Sequence, residues 1–216
     1  GETTAIIGST GSGKSTIASL LLRLHDIDKG EICIKGVDIR YISQKELRDK
    51  IGYVPQKAFL FSGTIEDNLK MGYKEATEED MKKAINISQS ESFINKLPLG
   101  LKSEVSQGGL NFSGGQKQRL SIARALIKKA PIYIFDDSFS ALDLKTDSAL
   151  RKSLKENMTD ATKIIIAQRV STIMDADQIL VLDEGNLVGI GKHEDLIKNC
   201  SVYQEIAKSQ INIKEE

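Results

Sequence analysis

Gly8-Ser9-Thr10-Gly11-Ser12-Gly13-Lys14-Ser15 follows the apolar run Thr3-Thr4-Ala5-Ile6-Ile7 and precedes a helix predicted over residues 15–25. This stretch decides the fold. It fits the pattern G-x-x-x-x-G-K-[ST] in the strand–loop–helix setting that gives the pattern its meaning. The glycines let the backbone curl until successive N–H groups face inward, and the helix start adds the positive end of its dipole. Such a loop cradles phosphates. Lys14 is expected to reach the β- and γ-phosphates of a nucleotide, and the Ser15 hydroxyl to ligate Mg²⁺. Ser9, Thr10, Gly11, Ser12, Gly13 and Thr16 complete the candidate cradle. The bland reading, a glycine-rich turn with an incidental lysine, is disfavoured by the strand and helix on either side. Asp136, ending the apolar run Ile132-Tyr133-Ile134-Phe135, is the natural second Mg²⁺ partner, reached through water.

Working outward, Ile32-Cys33-Ile34 and Val37-Asp38-Ile39 flank Lys35-Gly36 and read as a small hairpin. Residues 51–54 form another strand that ends at Pro55. From about residue 61 to 126 the strand signals vanish, and residues 64–70, 78–87 and 91–97 read as helices. Strands return at 132–135, 163–167, 179–182 and 187–190. Between the first two, Leu142, Thr146, Leu150 and Leu154 recur at helical spacing. Strands alternating with helices predict an α/β fold with a mostly parallel sheet covered on both faces. Residues 1–216 read as one domain, with the helical middle, about 61–128, inserted in it. The charged tail from Ile211 is expected to fray.

Bulk properties narrow the function. The 216 residues carry 30 basic and 30 acidic side chains, so no strong positive field supports nucleic-acid binding. Cys33 and Cys200 match no metal-ligand spacing and read as two reduced thiols of a cytosolic protein. No apolar run approaches the roughly 20 residues that a membrane span needs, and no basic-then-apolar leader is present. The chain by itself is therefore expected to be soluble. Its first residues run almost directly into a strand, which suits a fragment of something longer.

Asn111-Phe112-Ser113-Gly114-Gly115-Gln116-Lys117-Gln118-Arg119 closely resembles the signature motif of ATP-binding cassette (ABC) proteins, usually written LSGGQ, with Phe112 in the leucine position. Ser113-x-x-Gln116 is also a capping box for the helix that follows. Both readings can hold, because a helix start with a serine hydroxyl also suits a phosphate. Tyr53-Val54-Pro55-Gln56 looks like the Q-loop, whose glutamine senses Mg²⁺ and the γ-phosphate. Ser140-Ala141-Leu142-Asp143 looks like the D-loop. Residues 60–68 are similar to the segment after the exporter Q-loop, and Ser103-Glu104-Val105-Ser106-Gln107-Gly108-Gly109 resembles the exporter X-loop.

The resemblance covers essentially the whole chain. It implies a P-loop NTPase (RecA-like) core, a small antiparallel β part and an ABC-type helical subdomain, with ATP and Mg²⁺ as ligands. It implies a second nucleotide-binding domain whose ATP site is completed by Ser113, Gly114, Gly115 and Gln116, with Asp143 crossing the interface. It also implies a transmembrane domain whose coupling helices meet the X-loop and Q-loop, on the cytoplasmic side of the cell membrane. The family's strands ahead of Gly1, with the aromatic that stacks on adenine, are not in this sequence.

Two positions depart from the family pattern. After the Walker B aspartate the family usually places a glutamate that polarises water; here stands Asp137. Aspartate keeps the charge on a shorter stem, and a ~1 Å misplacement can cost on the order of 10²-fold in rate. The switch histidine, in a context like I-A-H-R, is replaced by Gln168, which can donate a hydrogen bond but cannot become cationic. Both changes fall on the same half of one site. Together they resemble the degenerate subunit of a heterodimeric exporter, binding ATP well and cleaving it poorly, beside a partner with an intact Glu and His. Two alternatives stand: a homodimeric exporter with Asp137 as a slow base, and a non-transport ABC ATPase.

Overall fold

The computed structural model describes residues 1–212, with side chains to Gln210. In chain order the elements are β1 (Thr3–Gly8), α1 (Lys14–Leu21), β2 (Cys33–Ile34), β3 (Val37–Asp38), α2 (Gln44–Asp49), β4 (Ile51–Val54) and β5 (Gly63–Thr64). There follow α3 (Ile65–Lys70), α4 (Glu78–Ile87), α5 (Glu91–Ile94), β6 (Glu104–Val105), α6 (Gly114–Leu126), β7 (Ile132–Asp136) and α7 (Leu144–Asn157). The last are β8 (Thr162–Ile166), α8 (Val170–Ile173), β9 (Gln178–Asp183), β10 (Asn186–Gly191), α9 (His193–Asn199) and α10 (Ser201–Asn212).

The main sheet runs β10-β9-β1-β8-β7-β4, parallel throughout except for the edge strand β10. Successive strand residues point to opposite faces, and each face has its own core. Ile7, Phe135, Ile165 and Val181 pack on one side with Leu120, Ile122, Leu150 and Tyr203. Ile6, Ile134, Ile166 and Leu182 pack on the other with Ala18, Leu22 and Leu47. Covering both faces is what makes these strands continuous apolar runs rather than alternating ones. Because β1, β4, β7 and β8 are parallel, the loops that follow them all emerge at one edge of the sheet. In open parallel sheets that edge is where ligands bind.

The predicted fold class holds, with local differences. Helix α1 ends at Leu21, short of His25, in a Schellman turn. Leu24 N–H reaches Ser19 O at 2.8 Å and Arg23 N–H reaches Leu20 O at 3.0 Å, with Arg23 at φ 49°. The Arg23 guanidinium fixes this turn by donating to the carbonyls of Ile39 (3.2 Å) and Ile42 (3.0 Å). The stretch predicted to lack strands contains one antiparallel pair, β5 with β6. Two-residue strands carry no periodicity to read. The third predicted helix of that stretch stops at Ile94, before 97, and α2, α8, α9 and α10 were not foreseen. The predicted hairpin forms as β2–β3, with Lys35 (φ 52°) and Gly36 (φ 77°) supplying the two left-handed residues of its tight turn. The tail expected to fray lies, beyond Asn212, outside the described residues.

Candidate nucleotide site

The cradle is built by strain that only glycine tolerates. A Cβ on Gly8 would sit 2.2 Å from the Leu182 carbonyl oxygen of the neighbouring strand. Gly11 and Gly13 take φ 83° and 93°, and both face open space. Helix α1 starts from Gly13 with no side-chain cap and no acid in its first turn, so its leading N–H groups stay available to an anion. Helices α3, α4, α6 and α7 contrast with it: Thr64, Thr77, Ser113 and Asp143 each cap their own helix. Lys14 Nζ lies back across the loop, donating to Gly8 O (2.8 Å), Ser9 O (2.6 Å) and Ser12 Oγ (3.4 Å). Burial lowers the pKa of Lys14, with Asp137 and Asp136 pulling the other way.

A cleft of about 300 Å³ opens beside the cradle, lined by Thr10, Gly11, Gly13, Lys14, Ser15, Thr16, Gln56, Asp136, Asp137, Ile166 and Gln168. Residues from four separate chain segments thus meet there, while Ser9 and Ser12 of the expected cradle do not line the cleft. The Ser15 hydroxyl donates to Asp136 Oδ1 at 3.3 Å. A serine hydroxyl and a carboxylate held side by side are hard oxygen donors of the kind Mg²⁺ takes, directly or through water. The residues present therefore fit Mg²⁺. Ser15 and Asp136 would hold it, and it would neutralise phosphate charge there. Burial raises the Asp136 pKa and hydrogen bonds from Ser15 and Tyr53 oppose the rise.

Asp137 is buried, at φ 45°, with its amide donating to Ile166 O at 2.8 Å. Its Oδ2 accepts two side-chain amides: Gln56 Nε2 at 3.0 Å and Gln168 Nε2 at 2.9 Å. The Q-loop candidate, the residue after the Walker B aspartate and the switch position therefore converge on one oxygen atom.

The signature residues lie elsewhere. Ser113, Gly114, Gly115, Gln116 and Asp143 do not line the cleft. Ser113 Oγ accepts from Gln116 N–H at 3.2 Å while Gln116 Oε1 accepts from Ser113 N–H at 2.9 Å, so the capping-box reading holds. A Cβ on Gly114 would meet nothing within 4 Å. Ahead of them, Asn111 ties the motif to the X-loop candidate, bonding Ser106 Oγ at 2.9 Å and Glu104 O at 2.8 Å. Asp143 accepts from Thr146 N–H at 3.0 Å as the cap of α7.

One residue in contact with the site and one behind it escaped the sequence. Tyr53 donates its hydroxyl to Asp136 Oδ2 at 3.3 Å, and burial pushes its pKa up to about 12. Its position three residues before Gln56 on an apolar strand was the available signal. Gln210 bonds the backbone around Gln168 from 42 residues away, and nothing local marks it.

A glycine cradle, a carboxylate pair and convergent amides at the carboxyl edge of a parallel sheet define a P-loop nucleotide-binding domain. Residues 1–140 match the ABC transporter family. The chain is 48% identical over 213 residues to an uncharacterized ABC transporter ATP-binding protein of Mycobacterium tuberculosis, covering 97% of this chain and 36% of that protein. It is 41% identical over 211 residues to the ATP-dependent lipid A-core flippase of Photobacterium profundum, with 97% and 36% covered. Against the structure of a bacterial Atm1-family ABC exporter with ATP bound, the TM-score is 0.94 at 42% identity, with 97% and 37% covered. The chain belongs to the ABC transporter family, and its mixed α/β architecture is that of an ABC ATPase. It spans 36% of the length of these curated relatives. Among the described residues no helix is long and apolar enough to cross a membrane.

Proposed function

We propose that this chain is the nucleotide-binding domain of an exporter, and that its own cradle binds Mg·ATP firmly but hydrolyses it slowly. It acts on the cytoplasmic side of the cell membrane, dimerises with a second nucleotide-binding domain when ATP is bound, and drives a transmembrane domain through Gln56 and the 103–109 loop. Likeness to the lipid A-core flippase and the Atm1-family exporter supports the export reading. Residues 1–216 act as one domain, with the helical part at about 61–128 inserted in the core.

The observation that carries the slow-site reading is the convergence of Gln56 and Gln168 on Asp137 Oδ2. Lys14 and the loop amides bind and orient the phosphates, while Ser15 and Asp136 would hold Mg²⁺. Asp137 is left to take the proton of an attacking water. Its stem is short, and the groups that touch it are neutral amides. Gln168 can orient a γ-phosphate oxygen but offers it no positive charge. Binding is well provided for; stabilisation of the transition state is not.

In a pair with a different subunit, this chain's cradle, Asp137 and Gln168 form the slow site with the partner's signature. Ser113, Gly114, Gly115 and Gln116, with Asp143 at the interface, complete the partner's faster site. The open space around Gly114 is consistent with the close approach of a phosphate from outside the chain.

Replacing Asp137 by Glu and Gln168 by His together restores a longer base and a group able to carry charge. In a reconstituted transporter whose partner site is disabled, turnover at this chain's own site is expected to rise at least about tenfold, within the range of a corrected ~1 Å misplacement. Unchanged turnover with intact Mg·ATP binding would show that these two side chains do not limit the site. The homodimer reading draws on Asp137 itself lining the cleft near Lys14; it requires appreciable turnover by this chain alone.

A further inference from the structure

Helix α10 lays one face on the core. Tyr203 is fully buried and Ala207 nearly so. Tyr203 is pinned by its hydroxyl to His193 Nδ1 at 2.8 Å. Gln210 comes three residues after Ala207 and continues the same stripe. A polar residue stands there because of what it meets. Gln210 Nε2 donates to the Gln168 carbonyl oxygen at 2.7 Å, and Val170 N–H donates to Gln210 Oε1 at 2.8 Å. One planar amide thus bridges the two peptide groups on either side of Arg169. From the other side, the Arg169 guanidinium donates to Ser140 O at 3.0 Å. The loop after β8 is therefore held at both flanks, and Gln168 projects its own amide from it onto Asp137.

We propose that Gln210 is a positioning residue for Gln168: by fixing the backbone of residues 168–170 it sets the direction in which the Gln168 amide points, so that α10 governs how well the site tells ATP from ADP. This rests on the reading that Gln168 faces the γ-phosphate. Gln210 touches no part of the cleft, whose lining does not include it. Its influence passes through two backbone hydrogen bonds, and a Gln168 left without them samples orientations that miss the phosphate.

The test uses the ratio of ADP to ATP dissociation constants, measured with Mg²⁺ on the purified protein. Gln210→Met removes both bonds at similar side-chain length. Gln210→Glu keeps an acceptor for Val170 N–H but loses the donor to the Gln168 carbonyl, and so covers the case in which the Met variant folds poorly. Either change is expected to lower the ratio about three- to tenfold, the worth of one hydrogen bond to the γ-phosphate, with ADP affinity unchanged. Gln168→Ala should lower it comparably. In a Gln168→Ala background neither change at 210 should lower it further, which a purely structural role would not predict. An unchanged ratio in the 210 variants, with Gln168→Ala lowering it, would overturn the positioning role alone. Equal losses of ATP and ADP affinity would also overturn it, by showing general loosening. An unchanged ratio in Gln168→Ala would overturn the γ-phosphate reading, and the positioning role with it.

Discussion

Asp136 shows the compromise made at single residues. Its carboxylate is buried at the end of β7, and burial holds its pKa above the ordinary 3.8 despite hydroxyls from Ser15 and Tyr53 on its two oxygens. The sign follows directly. An acid whose folded pKa is raised binds its proton more tightly in the fold, so the ionised form costs stability once pH exceeds the unfolded value. Replacing Asp136 by Asn should therefore raise Tm at pH 7, by about 2–4 °C for each kcal/mol of strain relieved. The gain should shrink as pH falls toward 4. The same variant should lose most of its Mg²⁺ dependence of ATP binding. Melting curves across pH, beside Mg²⁺ titrations, check both halves; a Tm that falls at every pH would contradict the account. Residues of this kind were legible in the sequence because strand ends and glycine spacing are local. Tyr53 was not, since its partner Asp136 lies 83 residues away across the sheet.

At the scale of elements, the difference between α1 and α6 states the division of labour. Both begin where the chain presents glycines, but α1 leaves its first turn without a side-chain cap, whereas α6 satisfies its own first turn through Ser113 and Gln116. Changing Ser113 to Ala should cost about 1 kcal/mol of stability, as loss of a helix cap does. It should leave Mg·ATP affinity of the isolated chain unchanged and depress turnover at the partner's site. A loss of nucleotide affinity in the isolated chain matching the loss of turnover would contradict the assignment of this motif to the partner. The ends of elements were the hardest part to read in advance. The stop of α1 at Leu21 depends on Arg23 bonding carbonyls 16 and 19 residues further along the chain, so periodicity alone carries past it.

For the molecule as a whole, the parallel order of β1, β8, β7 and β4 gathers the cradle, Gln168, the Asp136–Asp137 pair and Gln56 at one edge. That gathering was legible because each strand is an apolar run ending in a chemically distinctive residue. The β5–β6 pair and the clamp from α10 were not, because two-residue pairings and long-range side-chain bonds leave no local period. In the proposed function this edge binds nucleotide well and turns it over poorly. The most direct test is ATP hydrolysis by the purified chain, at concentrations high enough to drive dimerisation, beside a Mg·ATP binding titration on the same sample. Saturable binding with negligible turnover is the predicted result. Turnover of about one per second or faster, ordinary for an enzyme, would show that Asp137 is an adequate base and contradict the slow-site account.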